Sequence, residues 1–518
     1  MCSPPSDKVT GMITTTTGGK VEGLELTERG APILQFRNVP YAASTGGKNR
    51  FRPAQPVEAW SGVRDCTEHG PTAPQPPSPL ETMLGGQGSN YSEDCLSLTV
   101  TTPSLDGARP VLFWIHGGAF TGGSGSVPWY DGEAFAHNGD VVVVSINYRL
   151  GALGFLHVGH LLGEAYADAG CAGIGDQIAA LEWVRDNIAS FGGDPNRVTI
   201  FGESAGGMSV GSLLGSSRAR GLFSTAIAQS GAAHNATSHD SAAAVTAIVL
   251  AELGLTDAGA DGLLSVDLEA LMAAQLSVNA KLMGGAAAGG LGAGGGGMPF
   301  QPLALTPSLP EPPLDAIRAG NAAGVRVVTG TTTEEFKLFS LMLRATQEPL
   351  DGPGLRARAI EALGDSGSDV ADAYLSNRPN ESADDIWTAI VTDFVFRIPA
   401  IRMLEAQLTQ REDVYLYEFD HHSTAWDGAL GACHAIEIPF VFDNVHQRGV
   451  RRFVGDIGDT ERALARETNA AWIDAASGGE PWARYDTDRR ATRRLGGATP
   501  GVLDDPNGVE RRAWEGLR

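Results

Sequence analysis

The chain is poor in the residues that staple small folds or bind metals. Only 5 of its 518 residues are cysteine, at positions 2, 66, 95, 171 and 433. Their number is odd and their spacing wide, so they predict neither a disulfide framework nor a metal site. The sequence implies no metal and no cofactor. Basic residues are also scarce: 38 Lys and Arg against 61 Asp and Glu leave a formal charge of −23. That surplus argues against nucleic acid or an anionic membrane as a partner, and its plainest meaning is solubility. No apolar run is long enough to span a bilayer. The opening residues, MCSPPSDKVTGM, carry neither the basic start nor the apolar core of a secretory signal. The expectation is a cytoplasmic protein with no membrane span, a monomer or small homo-oligomer.

What is present is a large apolar complement, 42% of the residues with 19% charged, enough for a sizeable core. Short, nearly continuous apolar runs recur at Val111–Ile115, Val141–Ile146, Val198–Phe201, Val325–Val328 and Val414–Tyr417. Runs of this kind suit strands buried on both faces. Helical spacing lies between them, most clearly over 176–191, where apolar residues fall at 178, 181, 184 and 188. Alternation of strand and helix predicts an α/β fold with a mainly parallel sheet covered on both sides. Residues 23–39 read as an antiparallel edge meander. Residues 284–297, GGAAAGGLGAGGGG, read as a flexible coil spanning roughly 20 Å, either a surface loop or a lid.

The most informative stretch is Arg197–Gly211. A β-branched run enters Gly202-Glu203-Ser204-Ala205-Gly206, and small and apolar residues suited to a helix follow. This is the strand–turn–helix of a nucleophile elbow. A serine at so sharp a turn is strained, and glycines two positions either side remove the collisions a side chain would make. The pattern alone is weak, because a chain this rich in glycine supplies on the order of half a match by chance. A second match, Gly207-Met208-Ser209-Val210-Gly211, lies inside the expected helix and follows no strand. Context therefore selects Ser204.

A serine nucleophile needs oxyanion donors, a base and an orienting acid. His116-Gly117-Gly118-Ala119-Phe120 follows the strand at 111–115, where small residues let backbone N–H groups approach an ester. The acid is expected beyond the strand at 325–330, where Glu334 and Glu335 stand side by side. The base is expected later, with His421, His422, His434 and His446 as candidates.

These motifs, in this order, resemble the type-B carboxylesterase family of p-nitrobenzyl esterases, animal carboxylesterases and cholinesterases. The likeness runs through Val39–Ala42, Ser92–Leu96, Trp114–Phe120, Asn147–Gly151, Phe191–Pro195, Gly202–Gly206, Gly330–Glu335, Cys433-His434, Trp472 and Pro481-Trp482. It implies a single α/β-hydrolase domain over residues 1–518, with Ser204 as nucleophile, Glu335 as acid and His434 as base. Gly118, Ala119 and Ala205 would supply the oxyanion hole, and Ser230 would support the acid. Arg50 with Glu93 and Arg149 with Asp194 match structural ion pairs.

The chain also departs from the family pattern. The family's early disulfide joins the Cys95 position to a cysteine that is Ala73 here, so Cys95 lacks that partner. No tryptophan occurs between Trp60 and Trp114, so the cation-binding wall of cholinesterases is missing and choline esters are not expected substrates. Phe336 stands where relatives carry glycine after the acid, and could narrow the pocket. The expected activity is hydrolysis of small to medium carboxylic esters through an acyl-enzyme. The competing readings are a carbamate, amide or lactone hydrolase of the same family, and a non-catalytic cholinesterase-like binding protein.

Overall fold

A computed structural model describes residues 9–27, 29–77, 90–287, 298–343, 348–447 and 449–517. Its spine is one sheet of 13 strands in the order β1-β2-β3-β5-β7-β6-β8-β9-β10-β11-β12-β13, with β4 beside β2. The antiparallel edge is β1 (Val9–Thr15), β2 (Lys20–Leu26), β3 (Ile33–Pro40) and β5 (Ser97–Thr102), with the short β4 (Val63–Asp65) parallel to β2. The parallel centre is β7 (Val142–Ile146), β6 (Arg109–Ile115), β8 (Gly193–Glu203), β9 (Thr225–Gln229), β10 (Arg326–Thr332), β11 (Val414–Phe419) and β12 (Ala491–Leu495). β13 (Gly501–Asp504) closes the far edge antiparallel to β12.

The central strands are buried on both faces, as their unbroken apolar runs require. Along β6, Val111, Phe113 and Ile115 join one core, and Leu112 and Trp114 join the other. Trp114 packs against Tyr130, Phe201 and Phe442 at ring separations of 4.8–5.0 Å. The helix expected at 176–191 begins earlier, at Ala172, and runs to Asn187, with a 3-10 turn from Ile188 to Phe191. Its Ile178, Leu181, Val184 and Ile188 are all buried.

Two expectations are corrected. Arg149 pairs not with Asp194 but with Asp176, at 2.6 Å and in full burial. Asp194 instead accepts from the backbone N–H of Asn196, two residues on. A buried guanidinium needs a buried carboxylate, and only Asp176, on the helix packed beneath it, meets that need. Arg50 does pair with Glu93, at 2.7 Å. The second correction concerns the glycine-rich stretch. Residues 284–287 form the end of the helix Leu268–Ala287, while 288–297 lie outside the described residues. An existing helix adds residues without a new nucleation cost, and Ala286 and Ala287 favour its extension.

Strand register sets up the site. Glu203, Gln229, Gly330 and Tyr417 form one row across β8, β9, β10 and β11. The next residues of the first two strands, Ser204 and Ser230, therefore leave the sheet side by side at its C-terminal edge. That edge is where ligands bind in open α/β sheets.

Candidate active site

Ser204 occupies the turn between β8 and the helix Ala205–Gly215, with φ 58° and ψ −123°. Few L-residues hold this conformation without surroundings that enforce it. The flanking glycines show what enforces it here. A Cβ on Gly206 would lie 2.0 Å from the Ile115 carbonyl, and one on Gly202 would lie 2.6 Å from it. The elbow is thus pressed against the end of β6, too closely for any side chain. The Ser204 N–H donates to the Gln229 carbonyl at 2.9 Å, fixing the turn from the neighbouring strand. Ser209, the second pattern match, is fully buried and its Oγ accepts from Gln177 at 3.0 Å.

The loop after β6 lies against this elbow. A Cβ on Gly117 would come within 3.1 Å of the Ser204 Cβ. Gly118 and Ala119 both have positive φ, 114° and 54°, which turns the backbone tightly. Among the described residues, the N–H groups of Gly118, Ala119 and Ala205 have no protein acceptor. N–H groups left without a protein acceptor are available to an external oxygen.

Glu335 is fully buried just beyond β10. Its Oε1 accepts from the Thr332 N–H at 2.8 Å and from the Ser230 hydroxyl at 2.5 Å. Its Oε2 meets His434 Nδ1 at 2.6 Å. Glu334 turns away, accepting from Lys337 at 2.6 Å and from the Ala432 N–H at 2.9 Å. Of the other candidate bases, His421 packs on Phe440 and His422 contacts Asp420 and Glu334. The structure therefore brings Ser230, Glu335 and His434 into one hydrogen-bonded chain that ends beside the elbow.

Two buried carboxylates complete the surroundings, and neither was singled out from sequence as part of the chemistry. Glu203 Oε1 lies 3.1 Å from His434 Nε2. The contact is electrostatic, since this oxygen has no hydrogen-bond partner among the described residues. Glu437 accepts from Gln229 Nε2 at 3.2 Å, and Gln229 accepts in turn from Trp472 Nε1 at 3.0 Å. Burial pushes the carboxyls of both Glu203 and Glu437 above the ordinary range. Burial opposes the charged form of His434, but the carboxylates of Glu203 and Glu335 outweigh it and raise the imidazole. The site is built to favour an imidazolium. No hydrogen bond joins Ser204 to His434 among the described residues, as is common before a substrate closes the arrangement.

No group of His, Cys, Asp or Glu among the described residues is placed to hold a metal. The four described cysteines, 66, 95, 171 and 433, are free and buried.

The sequence profile of the carboxylesterase family matches residues 10–495. The chain belongs to that family. This carboxylesterase is 37% identical to the para-nitrobenzyl esterase of Bacillus subtilis, over 97% of this chain and 98% of that protein. It is 35% identical to the phenmedipham hydrolase of Pseudarthrobacter oxydans, over 91% of each. Among solved structures, a Geobacillus stearothermophilus carboxylesterase superposes with a TM-score of 0.85 at 40% identity, covering 97% of this chain and all of that one. The α/β-hydrolase fold and ester hydrolysis are therefore properties of this chain. No single helix among its described residues is long and apolar enough to cross a membrane.

Proposed function

We propose that this carboxylesterase hydrolyses small to medium carboxylic esters with Ser204 as nucleophile, His434 as general base and Glu335 as orienting acid. His434 Nε2 takes the Ser204 proton as Oγ attacks the ester carbonyl. The N–H groups of Gly118, Ala119 and Ala205 hold the tetrahedral oxyanion, each contributing roughly 3 kcal/mol. The imidazolium returns its proton to the leaving alcohol, giving an acyl-enzyme on Ser204. Water, deprotonated by the same nitrogen, then releases the acid. Glu335 fixes the tautomer with the proton on Nδ1, and Ser230 and the Thr332 N–H hold its carboxylate in place.

The observation that carries this reading is the chain from Ser230 through Glu335 to His434, at 2.5 and 2.6 Å, ending beside a strained serine. The small-molecule substrate class follows from the same site. The free thiols of Cys66 and Cys95 support a reducing, cytoplasmic setting. Rapid mixing with p-nitrophenyl acetate is the test. A burst of nitrophenol equal to the enzyme concentration is expected if deacylation is the slower step, and Ser204→Ala removes it. Turnover that survives Ser204→Ala overturns the reading.

A further inference from the structure

We infer that Phe396, carried on a π-helical turn, is a positioning residue for His434. The inference rests on the reading of His434 as the base.

One long helical stretch packs behind the histidine. The helix Ala383–Thr392 passes through a π turn, Asp393–Arg397, into the helix Ile398–Leu408. Pro399 is the local cause. It has no N–H to give the Val395 carbonyl, and in a regular helix its ring would strike that carbonyl. The turn widens by one residue instead. Turns of this kind are frequent at functional positions.

The widened turn aims two phenylalanines in different directions. Residues two apart on a helix face nearly opposite sides. Phe394 packs against Trp514, at a ring separation of 5.8 Å. Phe396 packs against His434 at 4.9 Å with the ring planes 38° apart. A second ring reaches the same imidazole from the helix Lys337–Leu343: Phe339 lies 5.2 Å from it, with Phe336 a further 5.3 Å along. Phe339 and Phe396 form no ring pair with each other among the described residues, so they approach the imidazole from different directions. Phe336, a departure from the family pattern, therefore ends an aromatic row that runs through the base.

The turn is held by polar bonds that would be costly to bury for packing alone. Arg397 Nε and Nη2 donate to Asp393 at 2.6 and 2.5 Å, and both side chains are buried. The Tyr374 hydroxyl also donates to Asp393, and Trp514 Nε1 donates to Tyr374 at 2.9 Å. Arg397 Nη1 reaches the Pro506 carbonyl at 3.3 Å. A buried ion pair this fully satisfied fixes geometry more surely than it adds stability. The helix bearing Phe339 is tied to the same stretch, since the Phe336 N–H donates to Thr392 Oγ1 at 3.0 Å.

Two consequences follow for the base. The Nδ1–Glu335 bond fixes one end of the imidazole, and the phenyl rings restrict how the other end swings towards Ser204. Their π faces also favour the imidazolium that forms as Ser204 is deprotonated.

Phe396→Leu keeps the burial and removes the ring. It is expected to lower kcat several-fold with KM within about twofold. It should also move the acid limb of kcat/KM about half a unit to lower pH. Phe394→Leu, a similar loss on the same turn, should destabilise the protein but leave that limb in place. If Phe396→Leu does not fold, Phe339→Leu is measured with the same expectation. An unmoved limb in the ring variant, or an equal movement in Phe394→Leu, overturns the inference. His434→Ala separates the two levels: if it retains turnover, the base was misassigned. If it abolishes turnover while the ring variants keep the wild-type profile, the positioning role alone fails.

Discussion

Glu203 Oε1 sits 3.1 Å from Nε2 of His434, the ring atom proposed to accept the proton of Ser204. The residue immediately before the proposed nucleophile therefore contacts the proposed base directly. Its carboxylate raises the basicity of the imidazole against the opposing effect of burial.

The first prediction follows from that contact. Glu203→Gln removes a negative charge, so the imidazolium loses stabilisation and the His434 pKa falls. The acid limb of kcat/KM should move down by about one unit. On the plateau above that limb, where the resting imidazole is neutral in both proteins, kcat should fall roughly tenfold, because the imidazolium formed in the transition state is less favoured. A pH–rate profile identical to wild type would mean that Glu203 already carries a proton in the working enzyme.

The adjacent glutamates make a sharper pair. Glu335 faces His434, whereas Glu334 faces Lys337 and the Ala432 N–H. Glu335→Gln should cost on the order of ten-thousandfold in kcat, since the amide can present its NH2 group to Nδ1 and select the wrong tautomer. Glu334→Gln should cost little in kcat and show mainly as reduced stability of the loop around Ala432. Steady-state assays of both variants decide it, and reversed costs would contradict the assignment.

His116 gives a prediction about stability. Burial lowers its pKa to about 4, while the unfolded chain titrates near 6.5. The folded value lies below the unfolded one, so the unfolded state binds the extra proton. Stability is full above pH 6.5 and is lost as pH falls towards 4, by about 2 kcal/mol at pH 5. His116→Phe cannot titrate and can still stack on Tyr148, whose ring lies 4.5 Å away. The drop in urea midpoint between pH 7 and pH 5 should be smaller in that variant. An equal drop would place the acid sensitivity elsewhere.

Much of this architecture could be read from local chemistry. Strands β6, β7, β8, β10 and β11 announce themselves because burial on both faces demands unbroken apolar runs. The elbow does so because its geometry admits few residues. β9 was missed: Thr225–Gln229 is short and alanine-bearing, with no strong strand preference of its own, yet it delivers Ser230 to the acid. The family resemblance implies Asp194 as the partner of Arg149, but a pair is fixed by packing between distant elements, and here that packing supplies Asp176. Glu203 was visible as a letter in the elbow motif, but nothing in the sequence said which way it points. The π turn at Asp393–Arg397 was hidden for a related reason. Pro399 signals an interrupted helix, but not which ring the interruption turns towards the base.

One serine, Ser204, set apart from Ser209 by its strained turn, is proposed to form the acyl-enzyme. Labelling with a fluorophosphonate, followed by peptide mass spectrometry, tests it most directly. A single adduct on Ser204 is expected, with full labelling and near-normal activity in Ser209→Ala, and neither in Ser204→Ala, whose turnover should fall about a millionfold. An adduct on any other residue, or labelling that persists in Ser204→Ala, would contradict it.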